Sequence, residues 1–169
     1  MSSEKNVFDG FKKIKIKIIY YSSESEKMNH VVYLDAKADE MGKILTGQKT
    51  MIIRGATGRK IPHGQVKKED ILYFINNNAE GIIKAKAEVA LVMNSEKMDK
   101  DTSIKLIKKY KDNLKLSEKQ FQRWAGKRYI VFVEINNVKE IKPFQFNRDD
   151  FKNKMDDWLV FEKIDSIKK

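Results

Sequence analysis

Between residues 13 and 18 apolar and charged positions alternate strictly. Ile14, Ile16 and Ile18 take one parity, and Lys13, Lys15 and Lys17 take the other. A period of two predicts a strand with one wet face, and a row of lysines on that face discourages edge-to-edge pairing. Residues 22–29 are polar and read as a loop; 30–34 (His-Val-Val-Tyr-Leu) is a second short strand. The period then changes. Met41, Ile44 and Leu45 form the inner stripe of a short helix, with Asp35 placed to cap it and Thr46-Gly47 at its end. A third strand covers 49–54, followed by a loop at 55–64 that carries Gly55, Gly58, Gly64 and Pro62.

Farther along, the apolar run 71–75 predicts a buried strand. Residues 76–81 turn it into a long strand at 82–92 with Lys84 and Lys86 on the wet face, which makes a hairpin. Asp101-Thr102 opens a helix to residue 111, with Ile104, Leu106, Ile107 and Tyr110 inward. Ser117 with Gln120 three residues on has the pattern of a capping box and opens another helix through Trp124. Residues 129–135 read as a core strand, 138–146 as a further one, 148–155 as a short helix and 158–161 as a final edge. Strands and helices do not alternate regularly, which disfavours a parallel α/β sheet. The expected class is α+β: a mostly antiparallel curved sheet or small barrel with helices at its rim.

Composition adds two constraints. Lys and Arg number 35 against 24 Asp and Glu, a net charge of +11 and a pI near 9.6, which favours an anionic partner, nucleic acid first. A lysine-rich, AT-biased proteome accounts for the same charge equally well. There is no cysteine, so disulfides and thiolate metal sites are excluded; two histidines, His30 and His63, argue against a histidine metal site. Neither a metal nor a cofactor is expected. No apolar run approaches the ~20 residues that span a bilayer, and residues 1–6 lack the basic-then-apolar order of a secretory signal. The expected location is the cytoplasm, with no membrane partner.

The motifs that carry chemistry are few. Gly55-Ala56-Thr57-Gly58-Arg59-Lys60 fails the spacing of a nucleoside-triphosphate loop. Its backbone N–H groups with Arg59 and Lys60 still suit phosphates, although a plain surface loop fits as well. No Gly-x-Ser-x-Gly elbow is present. The acidic pairs Glu69-Asp70, Asp149-Asp150 and Asp156-Asp157 sit at turns and read as solvated or capping groups. Arg123, Trp124, Lys127, Arg128 and Tyr129 interleave cations with aromatics, the composition of a surface that stacks bases and holds phosphates. Core packing competes for Trp124, and equally for Trp158.

The stretch ending in Gly47-Gln48-Lys49-Thr50-Met51-Ile52-Ile53-Arg54 resembles the Gly-x-Lys-x-x-Glu-x-Arg signature of the ASCH family, within the PUA-like superfamily. Residues 70–89 are also similar to the second hairpin of ASCH and EVE domains. The resemblance covers about residues 28–146. It implies one PUA-like domain over 1–169, with a barrel core at about 28–146, an N-terminal strand at 11–21 and a C-terminal extension at 147–169. It also implies a helix-flanked cleft that meets RNA or a modified nucleobase. Carried across, Gly47 is the turn before the strand, and Lys49 and Arg54 are cleft cations. Arg59, Lys60, Arg123, Lys127 and Arg128 would hold the backbone, and Trp124 or Trp158 would stack. The departure is Ile52, where the family has Glu. One branch, the N4-acetylcytidine amidohydrolases, uses a Lys, a Thr and a later Glu; here Lys49 matches, Ile52 again takes the Thr position, and Thr50 and Asp112 are the substitutes on offer. Binding is therefore the leading expectation, with amide hydrolysis on an acylated cytidine as the alternative. A protein-interaction domain, which predicts an exposed apolar patch, comes third.

Overall fold

The structure, a computed structural model, describes residues 2–9, 12–19, 26–149, 151 and 156–169. Two strands, β1 (Ser2–Asp9) and β2 (Lys12–Ile19), pair antiparallel as a sheet of their own. The main sheet is built from β3 (Asn29–Leu34), β4 (Met51–Ala56), β5 (Ile71–Asn76), β6 (Ile82–Asn94), β7 (Tyr129–Gln145) and β8 (Trp158–Phe161), in the order β4-β7-β6-β5-β3-β8. Only the β3–β5 pair of that sheet is parallel. Four helices, α1 (Glu40–Leu45), α2 (Lys100–Lys109), α3 (Lys111–Leu114) and α4 (Glu118–Trp124), flank it among the described residues, with a 3-10 turn at Ile164–Ile167. This is the expected α+β class.

Strands β3, β4 and β5 and the first half of β7 are buried on both faces, which is why they read as apolar runs, whereas β6 alternates between buried and wetter positions. On β4, Ile52 faces the interior of a curled half-barrel with Val32, Leu34, Leu72, Phe74, Ala85, Val131 and Val133. Its neighbours Met51 and Ile53 face outward with Ile130 and Phe132, under Ile107, Leu114 and Trp124 of the helices. At the other end Val31, Tyr73, Ile75 and Leu159 are covered by Phe146 and Ile167. Each fully buried aliphatic or aromatic side chain stabilises the fold by roughly 1.5–3 kcal/mol. These contacts hold the two sheet edges, β4 and β8, on either side of one gap.

Several boundaries differ from the sequence reading. Residues 129–135 and 138–146 form one strand, β7. Three register shifts in its ladder with β6, together with Asn137 at φ 48°, bend the strand and do not break it. Asp35 does not cap α1: its Oδ1 accepts from the N–H groups of Lys37 (3.0 Å) and Ala38 (3.2 Å), shaping a turn ahead of the helix. The true N-cap, Asp39, makes no capping bond. Helix α2 starts one residue before Asp101, capped by Asp99, which accepts from Thr102 N–H at 2.7 Å. The third strand begins at Met51, so Lys49 and Thr50 lead into it. β8 pairs with β3 inside the main sheet, so the sixth strand comes from beyond residue 146. β1 had no counterpart in the sequence reading. The helix expected at 148–155 falls largely outside the described residues.

No helix among the described residues is long and apolar enough to cross a membrane.

Candidate functional site

Helix α1 places the first functional side chain. Glu40 lies four residues before Ile44, on the same helical stripe, so the packing that buries Ile44 also buries the carboxylate. Glu40 Oε2 accepts from Asp35 N–H at 2.8 Å and from Gln120 Nε2 at 3.4 Å. Gly47 then turns the chain at φ 76°, a conformation that favours glycine, and Lys49 N–H bonds back to Lys43 O at 2.9 Å. The Lys49 side chain is driven inward to 1% exposure. Its ammonium donates to Leu114 O and sits 3.5 Å from Glu40 Oε1. Burial pushes the Lys49 pKa down to about 8; Glu40 opposes the shift and Arg54 adds to it.

Arg54, on the interior face of β4, spans the gap between the sheet edges. Its Nη2 donates to Tyr33 O at 2.6 Å and its Nη1 to Ile53 O at 2.8 Å, while Nε lies 3.1 Å from Asp157 Oδ2. The guanidinium sits 5.8 Å from the ring centre of Trp124 and 5.5 Å from that of Trp158. Arg123 stacks on Trp124 at 4.5 Å and approaches the same Asp157 oxygen at 3.6 Å. One carboxylate thus serves two arginines, one buried and one exposed.

These groups form the wall of a cleft of about 700 Å³, lined among others by Glu40, Arg54, Gln120, Arg123, Trp124 and Asp157. Tyr33 and Arg148 also line it, the guanidinium of Arg148 lying 4.8 Å from the Tyr33 ring. The lining combines carboxylate acceptors, guanidinium and amide donors and an aromatic wall; among the described residues it includes no Ser, Thr or Cys side chain. A second cleft of about 540 Å³ shares Arg54, Arg123, Trp124 and Asp157 and adds Arg59, Lys60, Tyr129 and Trp158.

The residues singled out from the sequence are distributed unevenly. Arg54, Arg123 and Trp124 meet at the first cleft, and Arg59, Lys60 and Trp158 at the second. Lys49 lies beneath the first cleft, behind Glu40, and does not line it. Thr50 turns to α3, its Oγ1 accepting from Asn113 Nδ2 at 3.2 Å. Asp112 is exposed and lines a different groove beside Lys111, Lys115 and Phe121. Lys49, Thr50 and Asp112 are therefore not gathered around one cavity, and the acid beside Lys49 is Glu40. Lys127 and Arg128 line neither cleft; the stem of Lys127 lies over Gly55, where a Cβ would come within 3.1 Å of it. Trp158 is buried in the barrel core, its Nε1 donating to His30 Nδ1 at 3.1 Å.

Three site residues escaped the sequence reading. Glu40 could have been found as an acid on the buried stripe of α1. Gln120 was read only as the reciprocal half of a capping box, which it is, its Oε1 accepting from Ser117 N–H at 3.0 Å. The sequence presents Asp157 as a solvated turn residue; nothing local marks it as the partner of arginines 34 and 103 positions away. Among the described residues no group of three or more His, Asp or Glu side chains is placed to hold a metal ion.

Solved structures carry the same architecture. The ASCH protein of Zymomonas mobilis superposes with a TM-score of 0.60 at 17% identity, covering 82% of this chain and 90% of that one. A serine-to-alanine variant of that protein gives the same score and identity, with 91% of its chain covered. A tyrosine-to-phenylalanine variant gives 0.59 at 17%, with 83% and 99% covered. No family model and no curated protein matches the sequence. At this identity the likeness is one of fold: the curled half-barrel with flanking helices is the architecture of the Zymomonas mobilis ASCH protein.

Proposed function

We propose that this ASCH-fold chain is a binding domain for RNA or a modified nucleobase, with a base seated in the first cleft. The observation that carries the reading is the pairing of Glu40 and Gln120 at 3.4 Å in the lining of a cavity also walled by Trp124 and Arg54. A nucleobase edge offers donors and acceptors together and a face that stacks, and this lining answers each. A bare phosphate offers only acceptors and would face the carboxylates of Glu40 and Asp157. The size also fits a compact ligand.

Recognition is favoured over chemistry. Hydrolysis of an acylated cytidine needs a nucleophile beside Lys49. Ile52 occupies the barrel interior at that position, Thr50 is held by Asn113, and Glu40 stands between Lys49 and the cavity. The protein-interaction reading has less support: among the described residues the large exposed apolar side chains are two, Ile61 in the 55–64 loop and Leu91 on β6. A cytoplasmic location accords with a chain that has no cysteine.

The test is calorimetric titration of the protein with a panel of unmodified and modified nucleosides. The expected result is binding of a subset, weakened about tenfold or more by Arg123→Ala with an unchanged melting temperature, since Arg123 is 58% exposed and its loss should not disturb the core. Failure of every nucleoside to bind would overturn the base-cleft reading.

A further inference from the structure

The two clefts differ in charge once their common wall is set aside. They share Arg54, Arg123, Trp124, Asp156 and Asp157. What the first cleft adds, among the described residues, includes the carboxylates of Asp35 and Glu40, against the single cation Arg148. What the second cleft adds, among the described residues, includes Arg59 and Lys60 and no carboxylate. One cavity has the acceptors that a base edge needs, and its neighbour has the cations that a phosphate needs.

The second cleft is also built to surrender its cations to a ligand. Arg59 projects from the 55–64 loop at 58% exposure, across the ring of Tyr129 at 5.6 Å, and its partner Glu96 is 88% exposed at 2.9 Å. An ion pair so open to water competes poorly with a doubly ligated phosphate. Lys60 is exposed beside it. Tyr129 offers a ring at the same cleft, and Arg123, half in each cavity, stands on the wall that a connecting backbone would cross.

We infer that the second cleft is a subsite for the phosphate of a neighbouring nucleotide, so the ligand is a single-stranded RNA segment and not a free nucleoside. One base enters the first cleft, the chain crosses at Arg123, and the next phosphate lies between Arg59 and Lys60. This inference rests on the base-binding reading of the first cleft.

The test compares four nucleosides with their single-stranded RNA hexamers (hexauridylate, hexacytidylate, hexaadenylate, hexaguanylate) at 50 and 200 mM salt, using wild-type protein and the Arg59→Ser/Lys60→Ser double variant. At least one hexamer should bind tenfold or more tighter than its nucleoside. The double variant should lose about tenfold on that hexamer at low salt and flatten its logarithmic salt slope by about 1.4, as two fewer single-strand phosphate contacts require. Nucleoside affinity and melting temperature should not change. A hexamer no better than its nucleoside, or one whose affinity and salt slope ignore the double substitution, overturns the subsite. Hexamer binding that responds to the substitution while no nucleoside binds would keep the subsite and overturn the base cleft instead.

Discussion

Glu40 Oε1 lies 3.5 Å from the ammonium of Lys49, and both side chains are almost wholly withdrawn from water. Glu40 lines the cleft and Lys49 lies directly behind it. Lys49 secures Leu114 O at the end of α3, and Glu40 ties the turn at Asp35 to Gln120 on α4. The pair's role is to fix the floor of the cleft.

Removing one partner of a buried pair strands the other. Lys49→Met should destabilise the protein by about 3 kcal/mol in urea melts, and Lys49→Met/Glu40→Gln should recover part of that loss. The pH dependence has a defined sign. Lys49 titrates at about 8 when folded and at its ordinary 10.5 when unfolded. Between those values the unfolded chain holds more protons, so wild-type stability gains a rising contribution from pH 8 to about 10.5. That contribution should be missing from Lys49→Met; an identical rise in the variant would show that Lys49 is not its source.

The strands were legible because they are buried on both faces or alternate cleanly, as at Met51-Ile52-Ile53 and along β6. The capping box at Ser117 was legible because its bonds span three residues. The single long β7 was not, since Asn136-Asn137 looks like a turn and its continuity depends on bulged pairing with β6. In the site, Arg54 and Trp124 were marked by residue type. Asp157 and Glu40 join the cleft only through partners brought near by the curl of the sheet. Local signals reach a few residues; the cleft is made of contacts that reach a hundred.

His30, Asp70 and Trp158 form a buried chain that fastens β8 to the barrel. Trp158 donates to His30 Nδ1 at 3.1 Å, which leaves His30 Nε2 to donate to Asp70 Oδ2 at 2.9 Å. Burial pushes the His30 pKa down, with Asp70 opposing it. The folded pKa thus lies below the unfolded value near 6.5, and the unfolded chain takes the proton first. The stabilising contribution is complete above pH 6.5 and is lost as pH falls through the folded pKa. The urea midpoint should drop from pH 7 to pH 5, and by less in His30→Gln. An equal drop in both proteins would place the titration elsewhere.

Ile52 is fully buried among barrel residues, so its apolar side chain is part of the core. Ile52→Val should cost about 1 kcal/mol, the loss of one methylene. Ile52→Glu should cost more than about 3 kcal/mol, because it buries a carboxylate in an apolar cluster. Denaturant melts read both. A well-tolerated Ile52→Glu would mean that the interior at this position admits water, and the case for a recognition site with no catalytic group there would weaken.

Ser117 connects local structure to the cleft. Its hydroxyl accepts from Gln120 N–H at 3.2 Å while the Gln120 amide oxygen accepts from Ser117 N–H at 3.0 Å, closing the box that starts α4. That helix carries Gln120, Arg123 and Trp124, three residues of the cleft lining. Ser117→Ala should therefore cost about 1 kcal/mol of stability and, by loosening the orientation of Gln120, also weaken binding of whichever nucleoside the wild type accepts. Ser117→Asp, which restores an acceptor to the cap and places a negative charge at the helix start, should return both. Titration and melting of the same two variants separate the possibilities: affinity that falls and recovers together with stability ties α4 to recognition, whereas stability that moves alone would remove Gln120 from the ligand's contacts.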